Sequence, residues 1–296
     1  MTLQLSGIFP PIPTPFAAKG GVSLHVLAEN LAHWNQFDLR GYVVLGSNGE
    51  FVFLSEQEKL EVLEAARTAV PSDKLLIAGT GCQATGRTAK LTQEAAKIGA
   101  DAALVLTPSY YKGRMTREAL VCHYHAVADA SPIPILIYNM PACTGIDLDA
   151  PTIAAMATHP NIVGLKDSSG NIVKMGDIQR LVGPEFQVLA GSASFLLPAL
   201  SVGTVGGVLA LANIAPEQCL AIHQHFLNGE WEQAREIQVR MIPVNTAVTR
   251  DWGVPALKAA MDMLGLYGGP VRPPLLPLPE ELRRELHTIL IRGDIL

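Results

Sequence analysis

Charge is scarce in this sequence. Asp, Glu, Lys and Arg make up 17% of the 296 residues, aromatics 6%, and apolar residues 49%. So little charge beside so much apolar content excludes a mainly disordered chain. There is no basic tract, and 22 Lys and Arg stand against 27 Asp and Glu, a formal charge of -5. Such a surface is a poor match for nucleic acid or for an anionic membrane. Cysteine is nearly missing. Cys82, Cys122, Cys143 and Cys219 form no CxxC pair. Neither a thiolate metal site nor a disulfide scaffold is expected, and a reduced, cytoplasmic setting is the simple reading. The first residues, MTLQLSGIFPPIPTPF, show no basic segment leading into an apolar core, so no secretory leader is expected.

Long hydrophobic runs are also few. One stretch, residues 186–216, carries no charge and is long enough to span a bilayer. Pro198 and four glycines interrupt it, and no cluster of Lys or Arg flanks it. It reads as a buried strand–helix–strand unit, with no membrane partner expected.

What is present is alternation. Short, β-branched apolar runs occur at residues 7–12, 41–45, 74–78, 103–107, 133–138, 162–166, 187–190 and 205–211. Runs apolar at nearly every position fit strands covered on both faces, as in parallel sheets. Between them lie helical patterns at 55–69, 85–98 and 116–128. The first opens with Ser55 and carries Glu58 three positions on, the mark of a capping box. Gly99 stands where a helix ends on a left-handed residue. Eight strand–helix repeats predict an α/β fold, a (β/α)8 TIM barrel. A doubly wound open sheet is the rival, but PPIPTPF after the first strand is unlike its glycine-rich phosphate turn. Past Asn213 the strand signals stop, and helices are expected at 216–227, 230–248, 255–264 and 279–291. The expected organisation is a barrel over residues 1–230 with a C-terminal helical extension, 231–296, packed on it.

In such a barrel the working groups sit at the C-terminal ends of strands. Those ends carry hydroxyls, amides and one lysine. A glycosidase's paired carboxylates and a metal-binding cluster are both missing. Lys166 ends the run Ile-Val-Gly-Leu-Lys. Held in a barrel mouth it would lose hydration, which favours the neutral amine and imine formation with a ketone. It would otherwise snorkel to solvent or pair with Asp167. Tyr138, ending the preceding strand, offers a phenol for proton transfer beside that lysine. The turn Gly46-Ser47-Asn48-Gly49-Glu50 is either a nest for a carboxylate or an ordinary turn with Glu50 as a solvated charge. Tyr110 and Tyr111 read alone as aromatics packed under their loop. The pairs His123/His125 and His223/His225 suggest a metal, but positions i and i+2 of a helix face apart, and no metal is expected.

GSNGE, TPSYY, YNMPACTG and IVGLKDSSG occur in this order along nearly the whole chain. Together they resemble the pyruvate-dependent class I aldolases, the group of dihydrodipicolinate synthase and N-acetylneuraminate lyase. The branch resembled most is that of the 4-hydroxy-2-oxoglutarate aldolases. The resemblance implies a Schiff-base lysine at Lys166, a proton-shuttling tyrosine at Tyr138, and carboxylate binding at Ser47 and Asn48. It also implies a tyrosine lent across a subunit interface at Tyr110, a substrate-side serine at Ser168, and pocket backbone at Gly191 and Val208. The implied reaction splits a 4-hydroxy-2-oxo acid into pyruvate and an aldehyde, glyoxylate if the substrate is 4-hydroxy-2-oxoglutarate. No cofactor is implied, and the implied assembly is a homotetramer, a dimer of dimers. Rival substrates are 2-keto-3-deoxy sugar acids, or aspartate semialdehyde condensed with pyruvate. The synthases differ in carrying two threonines at Ser47 and Asn48, and an arginine at Cys143.

Overall fold

The computed structural model describes residues 3–296. Eight strands form one parallel sheet: β1 (Gly7–Phe9), β2 (Gly41–Val44), β3 (Leu75–Gly79), β4 (Ala102–Leu106), β5 (Ile135–Asn139), β6 (Ile162–Asp167), β7 (Gln187–Ala190) and β8 (Gly206–Val208). Their order is β1-β8-β7-β6-β5-β4-β3-β2. The ring closes between β1 and β2 through Pro11 paired with Val43. Three bonds make that seam, Arg40 N–H to the Ile8 carbonyl at 3.0 Å, Val43 N–H to the Pro10 carbonyl at 3.0 Å and Ile12 N–H to the Val43 carbonyl at 2.9 Å. The sequence run at 7–12 thus shortens to a three-residue strand. Pro10 and Pro11 have no N–H, so a regular ladder cannot continue through them.

The helices are α1 (Leu24–Trp34), α2 (Glu56–Ala69), α3 (Thr85–Ile98), α4 (Arg117–Ala130), α5 (Pro141–Thr144), α6 (Ala150–Met156), α7 (Ile172–Leu181), α8 (Leu196–Ser201), α9 (Pro216–Leu227), α10 (Trp231–Thr246), α11 (Gly253–Met263) and α12 (Glu280–Arg292). The architecture is a TIM barrel with helices between its strands and further helices after the last. Local chemistry sets the helix ends. At α2, Ser55 Oγ accepts the Glu58 N–H and the Glu58 carboxylate accepts the Ser55 N–H. Gly99 ends α3 at φ 103°, a conformation that costs a side chain and not glycine. The helix expected at 230–248 is α10 followed by a π-helical turn, Ala247–Asp251. Pro243 inside α10 has no N–H to donate, so the Val239 carbonyl one turn earlier lacks its usual helical partner.

Side chains alternate across each strand. Phe9, Val43, Ile77, Leu104, Leu136, Tyr138, Leu189 and Val208 make the inner cluster of the barrel. Their neighbours Ile8, Val44, Ala103, Val105, Ile135, Ile137 and Leu165 face the helices. Leu5 N–H and the Leu3 carbonyl meet Gln187 at the N-terminal end of the barrel, each at 2.7 Å. The uncharged stretch at 186–216 holds β7, α8 and β8, and no helix among the described residues is long and apolar enough to cross a membrane.

Candidate active site

The site is built on the paired C-terminal ends of β5 and β6, where Tyr138 lies opposite Lys166. Alternation turns both inward. Lys166 is 3% exposed, and its Nζ sits 4.1 Å from the centre of the Tyr138 ring. No hydrogen bond or ion pair within the protein holds that nitrogen among the described residues, so the amine stays available to a ligand. The same alternation turns Asn139 and Asp167 outward, away from Lys166. Asp167 is fully buried, and such a carboxylate needs its own partners. Asn139 Nδ2 donates to it at 2.9 Å, the Ser169 N–H donates at 2.8 Å, and Lys174 Nζ lies 3.3 Å away. Lys174 also pairs with Asp147. The pairing of Lys166 with Asp167, one of the readings the sequence left open, does not occur.

The turn after β2 faces this pair. Residues Ser47–Gly49 form one turn of 3₁₀ helix, flanked by Leu45 at φ 62° and Glu50 at φ 53°. Two non-glycine residues in the left-handed region cost about 1 kcal/mol or more each and persist only where their surroundings hold them. Ser47 Oγ lies 3.3 Å from the Tyr138 hydroxyl, and either can donate. Asn48 Nδ2 is buried with no partner in the protein. Glu50 corrects the sequence reading of a solvated charge. It is 2% exposed, and its carboxylate meets Lys258 Nζ at 2.6 Å and the Arg272 N–H at 2.8 Å. Lys258 and Arg272 do not stand out in the sequence. Their signal was weak, because nothing local tells a buried lysine from a surface one.

Ser168 follows β6, and its Oγ is also buried without a protein partner. Gly191 follows β7 and lies against it: a Cβ there would stand 2.0 Å from Ser168 Oγ and 2.8 Å from the Asp167 carbonyl. Only glycine leaves that hydroxyl its place. Val208 lies at the end of β8, in the same inner cluster as Tyr138 and Leu189. Lys166, Tyr138 and Ser47 thus meet directly, while Ser168 and Gly191 meet at the neighbouring strand ends. Tyr110 is not brought to them. It is 79% exposed, stacks edge-on against Tyr111 with ring centres 5.0 Å apart, and makes no hydrogen bond to Ser47 or Tyr138 within the chain.

Cys143 lies in α5, directly after β5. Burial pushes its thiol up, and the Lys166 charge opposes that shift, so the two share one electrostatic neighbourhood. The histidine pairs split apart. His123 Nδ1 meets Thr85 Oγ1 at 2.9 Å, while His125 Nε2 meets the Met156 carbonyl at 3.2 Å. His223 turns to the Val205 carbonyl and His225 to Glu230.

A buried amine free of protein partners, a phenol against it and a hydroxyl-lined turn are the equipment of a barrel lyase working through an imine. Residues 4–292 match the model of the dihydrodipicolinate synthetase family. A 4-hydroxy-tetrahydrodipicolinate synthase from Methanothrix thermoacetophila is 35% identical over 287 residues, 97% of this chain and 96% of the relative. A probable mitochondrial 4-hydroxy-2-oxoglutarate aldolase from Emericella nidulans is 37% identical over 281 residues, 93% of this chain and 91% of the relative. Among solved structures, the chloride-inhibited dihydrodipicolinate synthase from Acinetobacter baumannii, complexed with pyruvate, superimposes with a TM-score of 0.94 at 29% identity. That match covers 99% of this chain and all of the other. The chain belongs to the dihydrodipicolinate synthetase family. It is a pyruvate-dependent carbon–carbon lyase of the class I aldolase type.

Proposed function

We propose that this enzyme cleaves 4-hydroxy-2-oxoglutarate to pyruvate and glyoxylate through an imine on Lys166. The observation that carries the reading is the Lys166 amine, buried and unpaired against a Tyr138 whose hydroxyl meets Ser47. The substrate's C1 carboxylate docks on Ser47, Asn48 and the amides of their turn. The Lys166 amine attacks the C2 ketone, and loss of water leaves an iminium. Tyr138, left as a phenolate once its proton has gone to the departing water, takes the proton of the C4 hydroxyl, with Ser47 as its hydrogen-bond partner. The C3–C4 bond breaks, and its electron pair moves into the iminium to form an enamine. Glyoxylate leaves, C3 is protonated, and water releases pyruvate and the free amine. The imine is itself the electron sink, so this route calls on no cofactor. Ser168, with its buried, unpartnered hydroxyl, is a neutral donor for the far end of the substrate.

Cys143 stands where the resemblance gives the synthases an arginine for the aldehyde's carboxylate, and a thiol cannot form a bidentate pair with a carboxylate, which counts against the synthase reading. The glyoxylate carboxylate would find its donors elsewhere, Ser168 among them. A probable 4-hydroxy-2-oxoglutarate aldolase is also among the relatives. The condensation of pyruvate with aspartate semialdehyde is the second reading, supported by the relatives named as synthases. In either case the assembly we propose is a homotetramer in which Tyr110, exposed in the single chain, serves a neighbouring subunit's site.

Incubation with pyruvate and borohydride tests the imine. The wild type should gain one stable adduct, mapped to Lys166 by peptide mass. Lys166→Arg should fold, gain none and show no turnover, because a guanidinium stays charged and forms no imine. Turnover in that variant would end the reading. Parallel assays with 4-hydroxy-2-oxoglutarate, 2-keto-3-deoxygluconate, and pyruvate plus aspartate semialdehyde decide the substrate. Faster condensation than cleavage would reverse the preference between the two readings.

A further inference from the structure

The turn that receives the carboxylate is held by residues from the far end of the chain. Glu50 closes that turn in a left-handed conformation. Its carboxylate pairs with Lys258 of α11 at 2.6 Å. Lys258 is 1% exposed, and its other two protons go to the carbonyls of Thr14 and Pro270, each at 2.9 Å. The ammonium is thus surrounded by three oxygens, two held by hydrogen bond and one by charge. Thr14 in turn donates its hydroxyl to the Gly49 carbonyl at 2.7 Å. The Ser47–Gly49 turn is thus gripped twice, through Glu50 at its end and through Thr14 at Gly49, and Lys258 is bonded to both grips. The Phe16 ring lies between the same cations, 4.4 Å from Lys258 Nζ and 4.4 Å from the Arg272 guanidinium. None of these groups touches Lys166 or Tyr138 by hydrogen bond or ion pair among the described residues.

We infer that Lys258 and Glu50 are positioning residues, a buried ion pair by which the C-terminal helices hold Ser47 and Asn48 in shape for the substrate's carboxylate. The inference rests on the imine reading above and adds to it the groups that set carboxylate affinity. A buried ion pair anchored at both ends makes a stiff support, whereas breaking it leaves one buried charge unpaired and the turn without its anchor. The imine-forming amine belongs to β6 and is fixed independently. The expected defect is therefore one of binding: pyruvate engages more weakly, while a saturated site still forms its imine.

Borohydride trapping across a pyruvate titration reads both quantities. Lys258→Met should raise the half-saturating pyruvate concentration by about tenfold or more and leave the adduct at saturation complete. Lys258→Arg keeps the charge but must fit a longer, planar group into a site that is 1% exposed, so its half-saturation should fall between wild type and Lys258→Met. A merely structural lysine would behave differently, lowering the fraction of protein that reacts without moving the half-saturation point. Should Lys258→Met fail to fold, Glu50→Gln, which keeps shape and acceptor, carries the same measurement. A folded variant with wild-type half-saturation overturns the inference. A wild type that forms no adduct at all overturns the imine reading instead, so the two failures are told apart.

Discussion

At the scale of single residues, the period of a strand decides much. Lys166 and Asp167 are neighbours in sequence, yet one meets the barrel interior and the other a buried network with Asn139 and Lys174. That division follows from alternation alone, once 162–167 is known to be a strand. The role assigned to Tyr138 is open to direct test. Tyr138→Phe keeps the ring against Lys166 and removes only the hydroxyl that faces Ser47. Turnover should fall by about 10²–10⁴-fold, while pyruvate is still trapped on Lys166 by borohydride. Wild-type turnover in this variant would remove Tyr138 from proton transfer. Glu50 shows where residue-scale reading stops. Its neighbours Ser47, Asn48 and Phe51 give no hint of burial, because its partners come from α11 and from the segment before α12.

At the scale of elements, caps and breakers wrote several boundaries into the sequence. Ser55 and Glu58 mark the start of α2, Gly99 the end of α3, and Pro10-Pro11 the early end of β1. Contacts between elements were not so marked. His123 of α4 bonds Thr85, the first residue of α3, and its Nε2 is buried without a partner. Burial lowers its pKa from 6.5 to about 4. A depressed folded pKa means that the unfolded chain binds the proton more readily, so stability present above pH 6.5 is lost as the pH falls toward 4. The loss from this one group is on the order of 3 kcal/mol across that window. His223, shifted down by burial in the same direction, adds to it. Urea unfolding at pH 7 and pH 4.5 should show this loss in wild type and a smaller one in His123→Gln. An equal loss in both proteins would assign the acid sensitivity elsewhere.

At the scale of the whole molecule, the barrel and the helices after it share a core. Ile8, Leu27, Leu31 and Trp34 pack in one cluster with Met241 and Val244 of α10, Leu257 of α11, and Leu286 and Leu290 of α12. Trp34 also donates from its indole to the Asn213 carbonyl at 3.0 Å. Removing a fully buried side chain from α12 should therefore weaken the barrel itself. Leu286→Ala should cost about 2–5 kcal/mol in denaturant unfolding. Loss should come in one transition, seen alike by far-ultraviolet circular dichroism and by tryptophan fluorescence. Two separated transitions would mean that the terminal helices fold apart from the barrel.

The amino-acid order alone determined the alternation of strands and helices, several of their caps, and the inward aim of Lys166 and Tyr138. Each of these depends on residues a few positions apart, and the period of a strand or helix carries such information. The folded molecule decided which of those elements meet. Ser47 reaches Tyr138 across 91 positions, and Glu50 reaches the Arg272 amide across 222. Such contacts arise when eight strands close on one another and buried charges settle on the partners that closure brings near. A local pattern records that a segment has an apolar face but not which distant segment will cover it.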